Sequence, residues 1–167
     1  MEKEIYRRRL PHIQPLGGTF FVTYVLNGSI PAEELERINE EHNFSGRKRQ
    51  LLLIDDKKGL DELHRLQFKH IDTYLAKTTV GHHYFKDDRL AKIVADTLHF
   101  WDTKRIELIC YCIMSNHVHT VFRLFDDAET IDYAIYLHKF MQSIKSFSAK
   151  KCNQLLYYMT KIFTTSS

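Results

Sequence analysis

The sequence predicts an α+β fold, an antiparallel sheet with helices packed on one of its faces. Three observations predict it. Three apolar runs have strand character: "TFFVTYVL" (19–26), "IELICYCIM" (106–114) and "HVHTVFRL" (117–124). Between and after them lie segments whose apolar residues recur at helical spacing. The resulting order is strand, helical insertion, helix, strand, strand, helix, a βαββα pattern that leaves one sheet face open to carry a site. A chain of 167 residues, 44% apolar, is long enough for one domain with a sizeable core.

The elements follow in order. "TFFVTYVL" is rich in aromatic and β-branched residues and is entered through Gly17-Gly18. "NGS" ends it, and Pro31 suits the first turn of a helix, so 31–43 reads as an exposed helix. "NFSGRKRQ" reads as a polar loop. Within 51–77, Leu60, Leu63, Leu66 and Ile71 stand near helical spacing. The domain is therefore expected to span 1–167, with a helical insertion at about 32–75 after the first strand. Residues 78–88 read as a loop or short extended piece. In 87–105, Leu90, Ile93, Val94, Leu98 and Trp101 form a helical stripe, and Asp87 or Asp88 can cap its start. Ser115-Asn116 between the last two apolar runs signals a hairpin. Residues of about 130–160 predict one long or two shorter helices, with Leu137, Phe140, Met141, Ile144 and Phe147 as the buried stripe.

Composition bounds the function. There is no apolar run long enough to span a membrane, and the charged N-terminus "MEKEIYRRRLPHIQP" lacks the apolar core of a secretion signal. Three cysteines, an odd number, argue against a disulfide framework and for a reducing cytoplasm. The net charge of +3 is unevenly spread. Arg7, Arg8 and Arg9 cluster near the start, and Tyr133 to Ser167 holds five lysines and no acid. Two basic ends are compatible with a polyanion such as nucleic acid, and equally with a solvated surface.

The chemistry concentrates in "CIMSNHVHTVFRL" (112–124). Alternation along a strand points His117 and His119 the same way, with Val118 opposite. If Ser115-Asn116 is a two-residue turn, Met114 pairs with His117 and Cys112 with His119. Cys110, Cys112, His117 and His119 then share one face, and Tyr111, Ile113, Val118 and Phe122 the apolar, helix-covered one. A one-residue bulge would reverse this for one strand. Three readings stand. The histidines are ordinary hydrogen-bonded strand residues; or the two cysteines and two histidines form a zinc site; or the two imidazoles hold a metal whose open positions accept phosphate and water.

Resemblance adds to this. "MSNHVHTVFRL" resembles the histidine–hydrophobe–histidine motif of the single-tyrosine HUH transposases. "YRRRLPHIQPLGGTFFVTYVLNGSIP" resembles the opening of their REP-associated tyrosine transposase branch. "YFKDDRLAKIVADTLHFWDTKRIELICYCIMSNHVH" is similar to that branch's central helix and hairpin, and "KFMQSIKSFSAKKCN" to the helix after them. The likeness covers most of the chain and is weakest over the insertion.

The resemblance implies a ferredoxin-like sheet carrying His117 and His119 as catalytic ligands of one magnesium or manganese ion. It implies a substrate of single-stranded DNA with hairpin-forming repeats. A tyrosine hydroxyl would attack the scissile phosphate, forming a 5′-phosphotyrosine link and releasing a 3′-hydroxyl. Relatives of this type often act as homodimers. In the family the nucleophilic tyrosine lies on a helix downstream of the region matched by "KSFSAKKCN". This chain ends at "KIFTTSS", before that helix would begin, so the sequence reads as a truncated transposase. Tyr157 and Tyr158 are read as packing or surface residues, and Asn116 as a turn former. Arg7, Arg8, Arg9, His12, Lys145, Lys150 and Lys151 are the expected DNA-contacting residues, binding phosphates without specifying sequence. Tyr84 or Phe85 offers a ring for stacking on bases. The alternative functions are a remnant that binds DNA without cleaving it, a two-histidine phosphoesterase (for which no second H-x-T or H-x-S unit is found), and a purely structural domain.

Overall fold

The computed structural model describes the backbone of residues 3–8, 10–15, 17–125 and 137–164, and the side chains of 17–125 and 137–158. The element order is β1 (Lys3–Arg8), β2 (Leu10–Pro15), β3 (Thr19–Val25), α1 (Ala32–Glu41), α2 (Phe44–Leu53), α3 (Lys57–Lys77), a 3₁₀ turn (Tyr84–Lys86), α4 (Asp88–Trp101), β4 (Ile106–Ile113), β5 (His117–Leu124) and α5 (Leu137–Thr164). The fold is α+β, with a three-stranded antiparallel sheet in the order β3-β5-β4 and a separate β1-β2 hairpin. No helix among the described residues is long and apolar enough to cross a membrane.

The chain divides into two compact units, Met1–Tyr24 with Tyr84–Ser167, and Val25–His83. The first is built on the sheet. Its core joins Tyr24 from β3, Val94 and Leu98 from α4, Ile106 from β4, Val118, Phe122 and Leu124 from β5, and Phe140, Met141 and Ile144 from α5. Phe122 is the largest fully buried side chain among the described residues, and its ring lies 5.1 Å from that of Phe140. Burying such a ring is worth about 1.5–3 kcal/mol, so this face holds α4 and α5 to the sheet. Asp87 caps α4, accepting from the Arg89 backbone N–H at 3.0 Å. The Arg89 guanidinium forks onto the same carboxyl and holds it below the usual carboxylate range.

β4 and β5 form the expected hairpin. The Met114 N–H donates to the His117 carbonyl at 2.9 Å, and Cys112 pairs with His119 and Ile113 with Val118. A bulge does occur, between Leu108 and Cys110, beyond the site. It leaves the face assignment of Cys110–Ile113 intact.

The second unit is helical. Ile38, Phe44 and Leu63 form its small core, with Leu51, Leu66 and Tyr74 packed against it. Asp56 caps α3 by accepting from the Gly59 N–H at 2.8 Å. Gly28 and Gly81 both have positive φ, and a Cβ on Gly81 would lie 2.6 Å from the Gly28 carbonyl oxygen. The backbone segments that open and close this unit therefore touch where only glycine fits.

Four sequence expectations change. β1 and β2 precede the strand expected to be first. "NFSGRKRQ" is not a loop but most of α2, because Phe44 anchors it in the core and packing outweighs the low helix propensity of Ser45 and Gly46. The expected 87–105 helix stops at Trp101, whereas the C-terminal segment follows the first of its two expected forms, one long helix. Phe147 is not buried; it is 53% exposed, since the core stripe of α5 ends at Ile144 and the buried Ser148.

Candidate metal centre

β5 is the central strand, and its alternation sets the site. Val118, Thr120, Phe122 and Leu124 face the helices and are buried. His117 and His119 project from the other face. Their rings stand 4.6 Å apart at 81°, with the two Nε2 atoms 3.0 Å from each other. His117 is 1% exposed and His119 half-buried.

Both Nδ1 atoms are engaged. Asn116 Oδ1 accepts from His117 Nδ1 at 2.7 Å, and Thr23 Oγ1 lies 2.8 Å from His119 Nδ1. The Asn116 amide oxygen at His117 Nδ1 keeps the proton there and leaves Nε2 with a lone pair, the tautomer a metal ligand needs; the Thr23 hydroxyl sets the same tautomer of His119 when it accepts. β3 brings Thr23 into place. It runs beside β5, with the Leu124 N–H donating to the Gly18 carbonyl at 3.2 Å, so Thr23 falls opposite His119. Phe21, two residues back on the same face, lies nearly parallel to the His119 ring at 5.7 Å and further restricts its rotation.

Two lone pairs at 3.0 Å repel unless a proton or a cation lies between them. The donor set fits a metal. Two imidazoles whose Nε2 atoms converge in this way can hold a divalent ion.

The thiols do not join them. Cys110 and Cys112 lie exposed on β4, and among the described residues no cluster of three ligating atoms within 4.8 Å includes a cysteine. This corrects the four-ligand zinc reading: sharing a sheet face with the histidines does not carry the thiols to the imidazole nitrogens. Cys112 instead contacts Met114, Sγ to Sδ 3.6 Å.

The other expected site residues are spread more widely. Arg7 and Arg8 lie on β1 and His12 on β2, but their side chains, and Arg9 entirely, fall outside the described residues. Lys145, Lys150 and Lys151 are exposed on α5, which packs on the core face, so they lie on the side of the sheet away from the imidazoles. Lys145 holds its ammonium 5.7 Å from the Tyr24 ring, and Lys151 5.8 Å from Phe147. Phe85 packs against the core, while Tyr84 is exposed. Among the tyrosines, Tyr24 neighbours Thr23 but faces the core. Its phenol has no hydrogen-bond partner among the described residues, and burial, reinforced by Cys152, pushes its pKa well above the ordinary value, which disfavours a phenolate there. Tyr157 and Tyr158 are exposed on α5.

Asn116 and Thr23 hold contacts to the imidazoles that the sequence did not reveal. Asn116 was legible only as a turn residue. Thr23 carries no local signal, because its role depends on how a strand more than ninety residues away registers against it.

No family model matches the chain, and neither the curated proteins nor the solved structures compared with it give a match.

Proposed function

We propose that this chain is a transposase domain of the single-tyrosine HUH type, which binds hairpin-forming single-stranded DNA and cuts and rejoins it by tyrosine attack on a phosphate. The observation that carries the reading is the convergence of His117 Nε2 and His119 Nε2 at 3.0 Å with both Nδ1 atoms engaged. This is a prepared two-imidazole metal site in the segment that resembles the family's motif. The finer fold reading, a ferredoxin-like sheet, goes with it. Magnesium or manganese bound there would neutralise charge on a scissile phosphate and orient it. His117 and His119 would hold the ion, and Asn116 and Thr23 would hold the rings. The exposed lysines of α5 would draw in the phosphate backbone by charge, weakening as salt rises.

A second reading, a DNA-binding module without cleavage, is favoured by the tyrosines. Tyr24 faces the core, and Tyr157 and Tyr158 lie on the helix that packs on the opposite face from the imidazoles.

One experiment separates them. Manganese binding is measured for the wild type, His117→Ala and His119→Ala, and the chain is then incubated with manganese and a labelled hairpin oligonucleotide. We expect the wild type to bind the ion and each variant to lose it with its circular dichroism unchanged. Metal binding that survives in both variants would move the site elsewhere. A covalent protein–DNA adduct supports the transposase; DNA binding without adduct supports the module.

A further inference from the structure

We propose that the groove between α4 and α5 is a stacking site for an unpaired nucleotide of single-stranded nucleic acid, separate from the imidazole pair and on the other side of the sheet. The groove encloses a cavity of about 380 Å³, large enough for one nucleotide and within the range of small-ligand pockets. Ile93, Phe100 and Trp101 line it from α4, and Phe147 and Lys151 from α5. Phe100 and Phe147 are 56% and 53% exposed, although each lies beside a core-facing turn of its helix. Large apolar rings left open on two facing helices form a surface suited to a flat partner.

Charge identifies that partner. Each exposed ring carries a lysine: Lys104 Nζ lies 3.6 Å from the Phe100 centroid, and Lys151 Nζ 5.8 Å from that of Phe147. Lys150 adjoins Lys151 on the exposed surface of α5. The acid at the groove, Asp96, is bridged to Lys92 at 2.7 Å, so its charge is offset. The site thus combines aromatic walls with an ammonium rim. A purely apolar ligand would gain nothing from the rim, and a bare phosphate nothing from the rings. A nucleotide uses both, base on ring and phosphate on ammonium, as in sequence-tolerant single-strand binding. The choice of single-stranded DNA as the polymer rests on the function proposed above; the groove's chemistry does not.

The test uses the chain's own reporter. Trp101 is the only tryptophan in the sequence and lines the groove, so a base stacked there should quench its fluorescence. The full chain is titrated with a short oligothymidylate and, separately, with an abasic deoxyribose-phosphate oligomer of the same length. We expect saturable quenching by the first and little by the second. Phe100→Ala and Phe147→Ala should each weaken binding about tenfold or more, as loss of a stacking ring does. Ser143→Leu, which narrows the groove without removing a ring, should weaken it as well, and Lys151→Glu should weaken it and flatten its salt dependence. His117→Ala should leave the quenching unchanged. Equal quenching by the abasic oligomer, absence of quenching, or insensitivity to both phenylalanine variants would overturn the proposal. So would a concentration-dependent dimer abolished by Phe147→Ala, which would make a second copy the occupant. Loss of manganese binding with intact quenching would sink only the metal reading, and the reverse only the groove.

Discussion

His117 and His119 are arranged as a pair by two other atoms. The two Nε2 atoms converge because Asn116 Oδ1 and Thr23 Oγ1 occupy the two Nδ1 positions. Outer partners of metal-bound histidines typically contribute 10–100-fold in affinity, because they fix both the tautomer and the ring angle. Asn116→Ala and Thr23→Val should therefore each lower manganese affinity by about 10–100-fold without changing the circular dichroism spectrum. Asn116 is fully buried, so its removal could act through packing instead. Asn116→Asp separates the two causes: it keeps the shape and an acceptor oxygen, and affinity should be retained. Titration calorimetry on the three variants decides it, and equal affinity in Asn116→Ala and the wild type would show that the amide does not orient the ring.

At the scale of elements, what could be read depended on how local the cause was. The β4–β5 hairpin was legible because its turn and its alternation lie within one short segment, and this also fixed the shared face of the two histidines. The cap of α4 was legible because Asp87 acts on the residues that follow it. α2 was not, since its opening residues favour a turn and only the burial of Phe44 by distant side chains makes it a helix. The exposure of Phe147 was not legible either: a helical stripe predicts which way a ring points, not where the neighbouring layer stops. β1 and β2 gave no strand signal, with Pro11 and Pro15 interrupting the second. The approach of Gly81 to Gly28 was equally hidden, although its consequence is sharp. Gly81 has φ +88° and no room for a Cβ against the Gly28 carbonyl. Gly81→Ala must adopt a disfavoured backbone conformation, costing about 1–2 kcal/mol, and must also displace a peptide. The melting temperature of the variant should fall by several degrees, as followed by circular dichroism. An unchanged melting point would mean that the two segments part without cost.

At the scale of the whole molecule, the chain has two cores rather than one. Among the described residues, the core cluster of the sheet unit holds ten buried residues and that of the Val25–His83 unit three, so the second has much less apolar burial to oppose its chain entropy. Stability in such a chain need not be uniform, and the smaller core is where a single cavity should matter most. Phe44 is the test residue: it is 3% exposed and packs beside the paired rings of His42 and His70, which lie 5.2 and 6.1 Å away. Phe44→Ala removes a buried ring at a cost of about 3–5 kcal/mol. That loss is comparable with the whole stability of many small domains. Hydrogen exchange should then show α1, α2 and α3 losing protection, while the amides of β4, β5 and α4 exchange as in the wild type. The matching change in the other core, Phe122→Ala, should expose the β4–β5 amides. Loss of protection in β4 and β5 on Phe44→Ala would instead mean that the two cores melt as one cooperative unit.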